Sequence, residues 1–98
     1  MISGVGFQSS VIIFIANDVQ FDKRNMSWGF DDGTNHFCLY IEQNMTSQQS
    51  TLTYSIYNRR IGANYIRGQI TTIGSNGFTI TWSISGVSEC EFIYLCLP

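Results

Sequence analysis

The sequence predicts an all-β fold, an antiparallel β-sandwich of about six or seven strands that forms one domain over residues 1–98. Hydrophobic residues make up 44% of the chain, which is enough to build one core. Several segments of strand length are either apolar throughout or alternate between apolar and polar residues, and turn-forming residues separate them. No window of helical length shows the apolar period of an amphipathic helix, so no helix is predicted.

The first half of the chain supplies three predicted strands. Residues 11–16 are a continuous apolar run rich in β-branched side chains, which predicts a central strand covered on both faces. A shorter strand is predicted over residues 27–30, and the turn sequence 31–33 ends it. Residues 36–42 resume the alternation and predict the third strand.

The second half supplies four more strands. Residues 44–50 are polar and predict a loop, after which residues 52–57 predict a strand. Residues 65–73 and 78–85 predict a hairpin, because the first segment is rich in β-branched residues and the second alternates apolar with hydroxyl side chains. Residues 90–97 predict the terminal strand.

The alternation also predicts which side chains are buried. Asn76 and Gly77 predict the turn of the hairpin, because both residues tolerate the positive φ that such turns require. On the strand that follows, the apolar set is expected to face the core and the Thr and Ser set to face water. The predicted core contains Ile13, Ile15, Ile80, Trp82 and Ile93.

The charge of the chain limits its partners. Five Lys and Arg residues against seven Asp and Glu residues give a net charge of -2, so we expect no nucleic-acid partner, since such binders neutralise phosphates with a basic patch. Arg59 and Arg60 are adjacent and would point to opposite faces of a strand, which favours a solvated turn. The longest apolar run is far shorter than a membrane helix, so no membrane partner is expected either. Charged residues are only 12% of the chain, and such a polar but weakly charged surface suits close assemblies.

The titratable side chains do not predict an enzyme. The sequence has no Ser or Cys nucleophile motif for which its only histidine, His36, could act as a general base. A structural role for His36 is favoured. Asp31 and Asp32 resemble part of a calcium loop but lack the distal Glu, so a plain turn is favoured. No catalytic residue, metal or cofactor is predicted.

Cysteines and aromatic residues offer little chemistry either. The odd count of three cysteines, Cys38, Cys90 and Cys96, indicates reduced structural thiols. Aromatic side chains near polar loops could stack on sugars, although a core or interface role is favoured; these are Trp28, Tyr54, Tyr57 and Tyr65. The candidate ligand or interface residues are Trp28, Asp31, Asp32, His36, Tyr57, Arg59 and Arg60.

Segments along nearly the whole chain resemble a family of short β proteins encoded by tailed bacteriophages and prophages. Residues 4–8 (GVGFQ), followed by the strand from Val11, resemble the family's opening "GFqP..vif". Residues 27–33 (SWGFDDG) resemble its Gly-Phe segment, and residues 76–82 (NGFTITW) with 93–95 (IYL) are similar to its ending. Members often carry a further strand before the "GF" motif, and this sequence shows no strand pattern there.

The resemblance implies a fold similar to that of H-type lectins, and a homo-oligomer, most often a trimer. It implies a virion protein made in the bacterial host cytoplasm, namely a head-decoration or cement protein, or a tail-associated component, that contacts other virion proteins. The alternative that the fold likeness leaves open is a lectin module for host-surface glycans. The sequence itself supports an oligomer, because the predicted edge strands 52–57 and 90–97 carry only Glu91 as a charge.

Overall fold

The computed structural model describes residues 1–18, 25–41, 49–59, 65–86 and 90–98. These residues form nine strands and no helix, and therefore no helix that could cross a membrane. The strands are β1 (Ile2–Ser3), β2 (Val11–Asp18), β3 (Met26–Asp31), β4 (His36–Ile41), β5 (Gln49–Thr51), β6 (Ile56–Arg59), β7 (Tyr65–Ile73), β8 (Gly77–Ser85) and β9 (Cys90–Leu97).

The strands form two antiparallel sheets that face each other in a sandwich-like arrangement. The front sheet has four strands in the order β1-β8-β7-β6, and the back sheet has five in the order β5-β4-β3-β2-β9. Every pairing is antiparallel. The predicted all-β antiparallel fold is confirmed, and β6 and β9 lie at sheet edges as the sequence predicts.

The predicted strand number is too low, because two strands are very short. β1 and β5 have two and three residues, and single-sequence alternation does not show in so few positions. Gln49 and Ser50 of β5 fall in the predicted loop 44–50. In the predicted strand 52–57, β6 begins only at Ile56, and Leu52 lies in a bend, 76% exposed. β1 also supplies a strand before the "GF" motif, where none is expected.

The β7–β8 hairpin is confirmed, but its turn works differently from the prediction. Tyr65 pairs with Ser85 at one end and Ile73 with Phe78 at the other, with a bulge after Ile70. Neither Asn76 nor Gly77 has a positive φ. A Cβ on Gly77 would lie 1.9 Å from the carbonyl oxygen of Ile2, so glycine is needed for the close approach of β1.

The core lies between the sheets and contains a compact apolar cluster: Ile12, Phe14, Ala16, Ile56, Ile70 and Phe78. The ring of Phe14 meets the edge of the Phe78 ring with centroids 5.9 Å apart, which joins back sheet to front sheet. Ile80, a predicted core residue, packs against this cluster but is only partly buried.

Four of the five predicted core residues are not buried, and this prediction is wrong for each of them. Ile13 and Ile15 lie on the outward side of β2, because Ile12, Phe14 and Ala16 occupy the inward side. Ile93 is 66% exposed on the outward side of β9. Trp82 points inward but lies beyond the core cluster and is 37% exposed. The apolar run of β2 therefore has one face covered and one face open.

One glycine sets how closely the sheets approach at the β6 side. A Cβ on Gly29 would lie 1.9 Å from the carbonyl oxygen of Ser55, which precedes β6. Close by, the N–H of Tyr57 donates to Ser27 Oγ on β3, 3.2 Å away. The back sheet thus covers this edge of the front sheet and satisfies a backbone donor of β6.

Candidate functional site

The most elaborate polar group in the described residues surrounds Asp31, at the end of β3. Its side chain is fully buried. Oδ2 accepts hydrogen bonds from Ser55 Oγ at 3.0 Å and from the Ile70 N–H at 2.8 Å, and His36 Nδ1 lies 2.7 Å from the same oxygen. Oδ1 accepts from the Gly33 N–H at 2.8 Å. One carboxylate therefore joins the turn between β3 and β4 to the front sheet.

The geometry of this group differs from that of a serine hydrolase. A serine hydrolase needs the hydroxyl to donate to the imidazole, whereas the Ser55 hydroxyl donates to the Asp31 carboxylate. The side chain of His36 is 17% exposed, and its Nδ1 is engaged by Asp31. The group has the form of a satisfied buried carboxylate, which accepts three hydrogen bonds and also contacts the His36 ring nitrogen.

Asp32 follows Asp31 in sequence but faces solvent. Its carboxylate accepts hydrogen bonds from the backbone N–H groups of Asn35 and Thr34, at 2.6 and 2.9 Å, and from the Asn35 amide at 3.1 Å. These bonds, above all those from Asn35, lower the pKa of Asp32 from 3.8 to about 2. Gly33 takes the positive φ of 90° that the turn requires.

The two aspartates therefore do not converge on one ligand. Asp31 faces the interior and Asp32 borders an open polar hollow that Thr34, Asn35 and residues 8–10 also line. Among the described residues, no group of three or more His, Cys, Asp or Glu side chains could hold a metal ion.

Tyrosine rings enclose Arg67 on the front sheet, on the side away from the core. The guanidinium carbon lies 4.1 Å from the ring centroid of Tyr65, 4.6 Å from that of Tyr54 and 6.0 Å from that of Tyr57. The Tyr57 ring also stacks on Tyr40, with centroids 4.4 Å apart. These contacts are cation–π and stacking interactions within the chain.

The structure brings three of the four predicted sugar-stacking aromatics together here, but Arg67 occupies their faces. Trp28 is elsewhere, on the outward side of β3. The sequence prediction did not include Arg67 or Tyr40. The spacing of Tyr65 and Arg67 is a signal for the first of these, because residues two apart share one face of a strand. Arg59, the last residue of β6, pairs through its backbone with Tyr65 of β7. Arg60 lies outside the described residues.

The outward side of the back sheet is apolar. In the strand register, directly opposed residues share a face, and Ile13 opposes Phe30 and Leu95 while Ile15 opposes Trp28 and Ile93. We call this surface the outer apolar face; it consists of Val11, Ile13, Ile15, Met26, Trp28, Phe30, Phe37, Leu39, Ile41, Ile93, Leu95 and Leu97.

A shallow groove of about 250 Å³ runs along this face. Its lining includes Ile13, Ile15, Trp28, Phe30 and Leu39. Trp28 is 38% exposed there, with no polar side chain beside it in the groove. The surface has the composition of a protein interface core rather than of a site for a polar ligand.

Among the described strands, β9 is the last strand of the same sheet, next to β2. The Ser10 N–H donates to the Leu97 carbonyl at 2.7 Å, on the side of β2. Because backbone groups alternate along a strand, Phe92, Tyr94 and Cys96 direct their N–H and C=O groups away from β2. The strand has no proline, and Glu91 is its only charged residue, so the edge lacks the usual protection.

The chain matches no protein-family model, no curated protein and no solved structure.

Proposed function

We propose that this chain is a non-enzymatic structural subunit of a tailed-phage particle, either a head-decoration protein or a tail-associated component, that acts through oligomeric protein-protein contacts. The observation that carries the proposal is the edge strand β9, which is eight residues long, has no proline and carries a single charge. Monomeric proteins seldom leave such an edge open.

The polar chemistry of the described residues supports the same proposal. The Asp31 carboxylate is satisfied by donors inside the protein, and the Asp32 carboxylate by its own turn. Asp32 borders the open polar hollow, but its carboxylate oxygens accept hydrogen bonds from Thr34 and Asn35. The phage assignment itself rests on the sequence resemblance, which also suggests three copies.

The alternative is a carbohydrate-binding module for host-surface glycans. The aromatic cluster around Arg67 is the observation that favours it, because tyrosine faces commonly stack on sugar rings. Here, however, Arg67 already fills the space between Tyr54 and Tyr65, within 4.6 Å of both ring centroids. A sugar would have to displace an internal cation, and this makes the structural subunit the better supported function.

Two measurements test the proposal. Mass spectrometry of tailed-phage particles induced from the source strain should find this protein in the purified particles, and its absence there would contradict the virion assignment. A glycan array with the purified protein separates the alternatives, since specific glycan binding that Arg67→Ala or Tyr54→Ala abolishes would favour the lectin function instead.

A further inference from the structure

We propose that the outer apolar face of the back sheet packs against the same face of a second copy of this chain, around a two-fold axis. This inference goes beyond the proposed function, because it names a surface and an occupant that the edge strand does not determine.

The face is apolar across four neighbouring strands. Reading across the sheet, Ile93, Ile15, Trp28 and Leu39 form one row. Leu95, Ile13, Phe30 and Phe37 form the next. Polar residues occur only at the margins among the described positions of this surface, where Asn17 opposes Glu91 and Ser50 opposes Leu39.

Several of these side chains are large and open to solvent. Ile93 and Leu95 are 66% and 56% exposed, and Phe30 is 46% exposed. Contiguous apolar patches of more than a few hundred Å² are uncommon on soluble monomers and usually mark interfaces. The opposite surface of the molecule differs, since Thr79, Thr81, Ser83 and Ser85 give the outward side of β8 a hydroxyl character.

The area of the face approaches that of a specific interface. Four strands spaced about 4.8 Å apart, with about six residues each at about 3.3 Å per residue, give a footprint of roughly 19 by 20 Å. Two such footprints amount to about 800 Å² as a flat projection, and the large side chains that stand on it add accessible area toward the lower limit of about 1,000 Å² for a specific interface. Two sheet faces that meet in this way form an aligned packing about 10 Å thick.

The absence of charge on the face favours a second copy as the occupant. When identical surfaces meet, every charged residue meets its own kind near the axis, which opposes self-association. None of the residues of the outer apolar face is charged, and the acidic Glu91 lies at its margin. A surface this apolar resembles half of a protein core, as homodimer interfaces do.

The two-fold pairing has a consequence for the number of copies. Isologous contacts join copies in pairs, so the assembly contains an even number of chains. A trimer alone, as the sequence resemblance implies, would leave the outer apolar face without its partner. Two trimers joined face to face would satisfy both the three-fold assembly and the two-fold pairing.

The test uses the full chain with Trp82→Phe, which leaves Trp28 as the single tryptophan, on the proposed interface. We expect a sedimentation mass at micromolar concentration of an even multiple of 11.1 kDa, and Trp28 fluorescence that acrylamide quenches several-fold less than in the denatured chain. Ile15→Lys in this background should halve the mass and raise the quenching of Trp28 several-fold.

The matched control is Thr81→Lys, which places the same charge on the exposed hydroxyl surface of the front sheet and should leave both readouts unchanged. If Ile15→Lys aggregates, a comparison of Trp28 quenching in the Trp82→Phe protein at nanomolar and micromolar concentration still decides the matter, because only association covers the part of Trp28 that is exposed in one chain. A single-chain mass, a trimer of three chains, or a freely quenched Trp28 would each overturn the pairing. The virion assignment is tested separately, by the search for this protein in purified phage particles.

Discussion

Among single residues, Asp31 has the largest expected effect on stability. Its carboxylate is buried and satisfies donors from Gly33, Ser55 and Ile70 besides the contact with His36. Removal of the carboxylate leaves its buried hydrogen-bond donors without an acceptor. Asp31→Ala should therefore reduce the free energy of unfolding by about 3–5 kcal/mol.

Denaturation in urea, followed by circular dichroism, measures this loss. The matched control is Asp32→Ala, the neighbouring aspartate, whose exposed carboxylate makes hydrogen bonds only within its own turn and whose removal should have a much smaller effect. Equal losses from the two substitutions would contradict the role given to Asp31.

The thiol of Cys38 gives a second prediction at this scale. Burial raises the pKa of Cys38 from 9.0 to about 12, against the smaller lowering effect of a hydrogen bond with Ser27. The folded protein therefore keeps a proton that the unfolded chain loses above about pH 9, and the free energy of unfolding should fall as the pH rises from about 9 to 12. A Cys38→Ala variant should lose this part of the pH dependence.

Alkylation at pH 8 tests the same burial. Iodoacetamide should modify the partly exposed Cys90 and Cys96 before Cys38, which is fully buried, and mass spectrometry of peptides identifies the order. Modification of Cys38 first, in the folded protein, would rule out the packing described around it.

Among the elements, the contact of β3 with the segment before β6 depends on Gly29. Because a Cβ there would lie 1.9 Å from the Ser55 carbonyl oxygen, Gly29→Ala forces a strand to shift and should destabilise the protein by at least about 3 kcal/mol. Gly74→Ala is the control, since a Cβ at Gly74 meets nothing closer than 3.9 Å and its φ is not positive. Comparable thermal stability of the two variants would contradict the close approach.

The elements also show what a single sequence can predict. The hairpin of β7 and β8 follows from the sequence because only one of the two alternating sets in residues 78–85 is apolar. In β2 both sets are apolar, so the pattern predicts the strand but not its inward side. The prediction places Ile13 and Ile15 in the core, whereas the structure buries Ile12 and Phe14. That choice depends on neighbouring strands.

The polar site shows the same limit at longer range. The turn after Asp31 is readable in the sequence, because Asp, Gly and Asn favour turns. Two of the donors to Asp31 come from Ser55 and Ile70, which are 24 and 39 residues away. No local pattern connects them, so the sequence places Asp31 in a plain turn and misses its burial.

For the whole molecule, self-association predicts a stability that depends on concentration. If copies cover the outer apolar face of each other, a hundredfold rise in protein concentration stabilises each chain of a dimer by about 1.4 kcal/mol. For a domain of this size the melting temperature should rise by about 5–10 °C. Scanning calorimetry over that range measures it, and a constant melting temperature would contradict association of the folded chains.

The hydroxyl surface of the front sheet gives the molecule two unlike outer sides. On the front sheet, the Thr71 and Thr81 hydroxyl oxygens lie 3.1 Å apart at the surface, among other Thr and Ser side chains. On the back sheet, the side chains of the outer apolar face are hydrophobic. If the hydrocarbon side is turned toward other subunits, the medium meets mainly neutral hydroxyl groups. Contacts made by neutral hydroxyl groups are not screened by dissolved ions, so binding through this surface should change little with salt concentration.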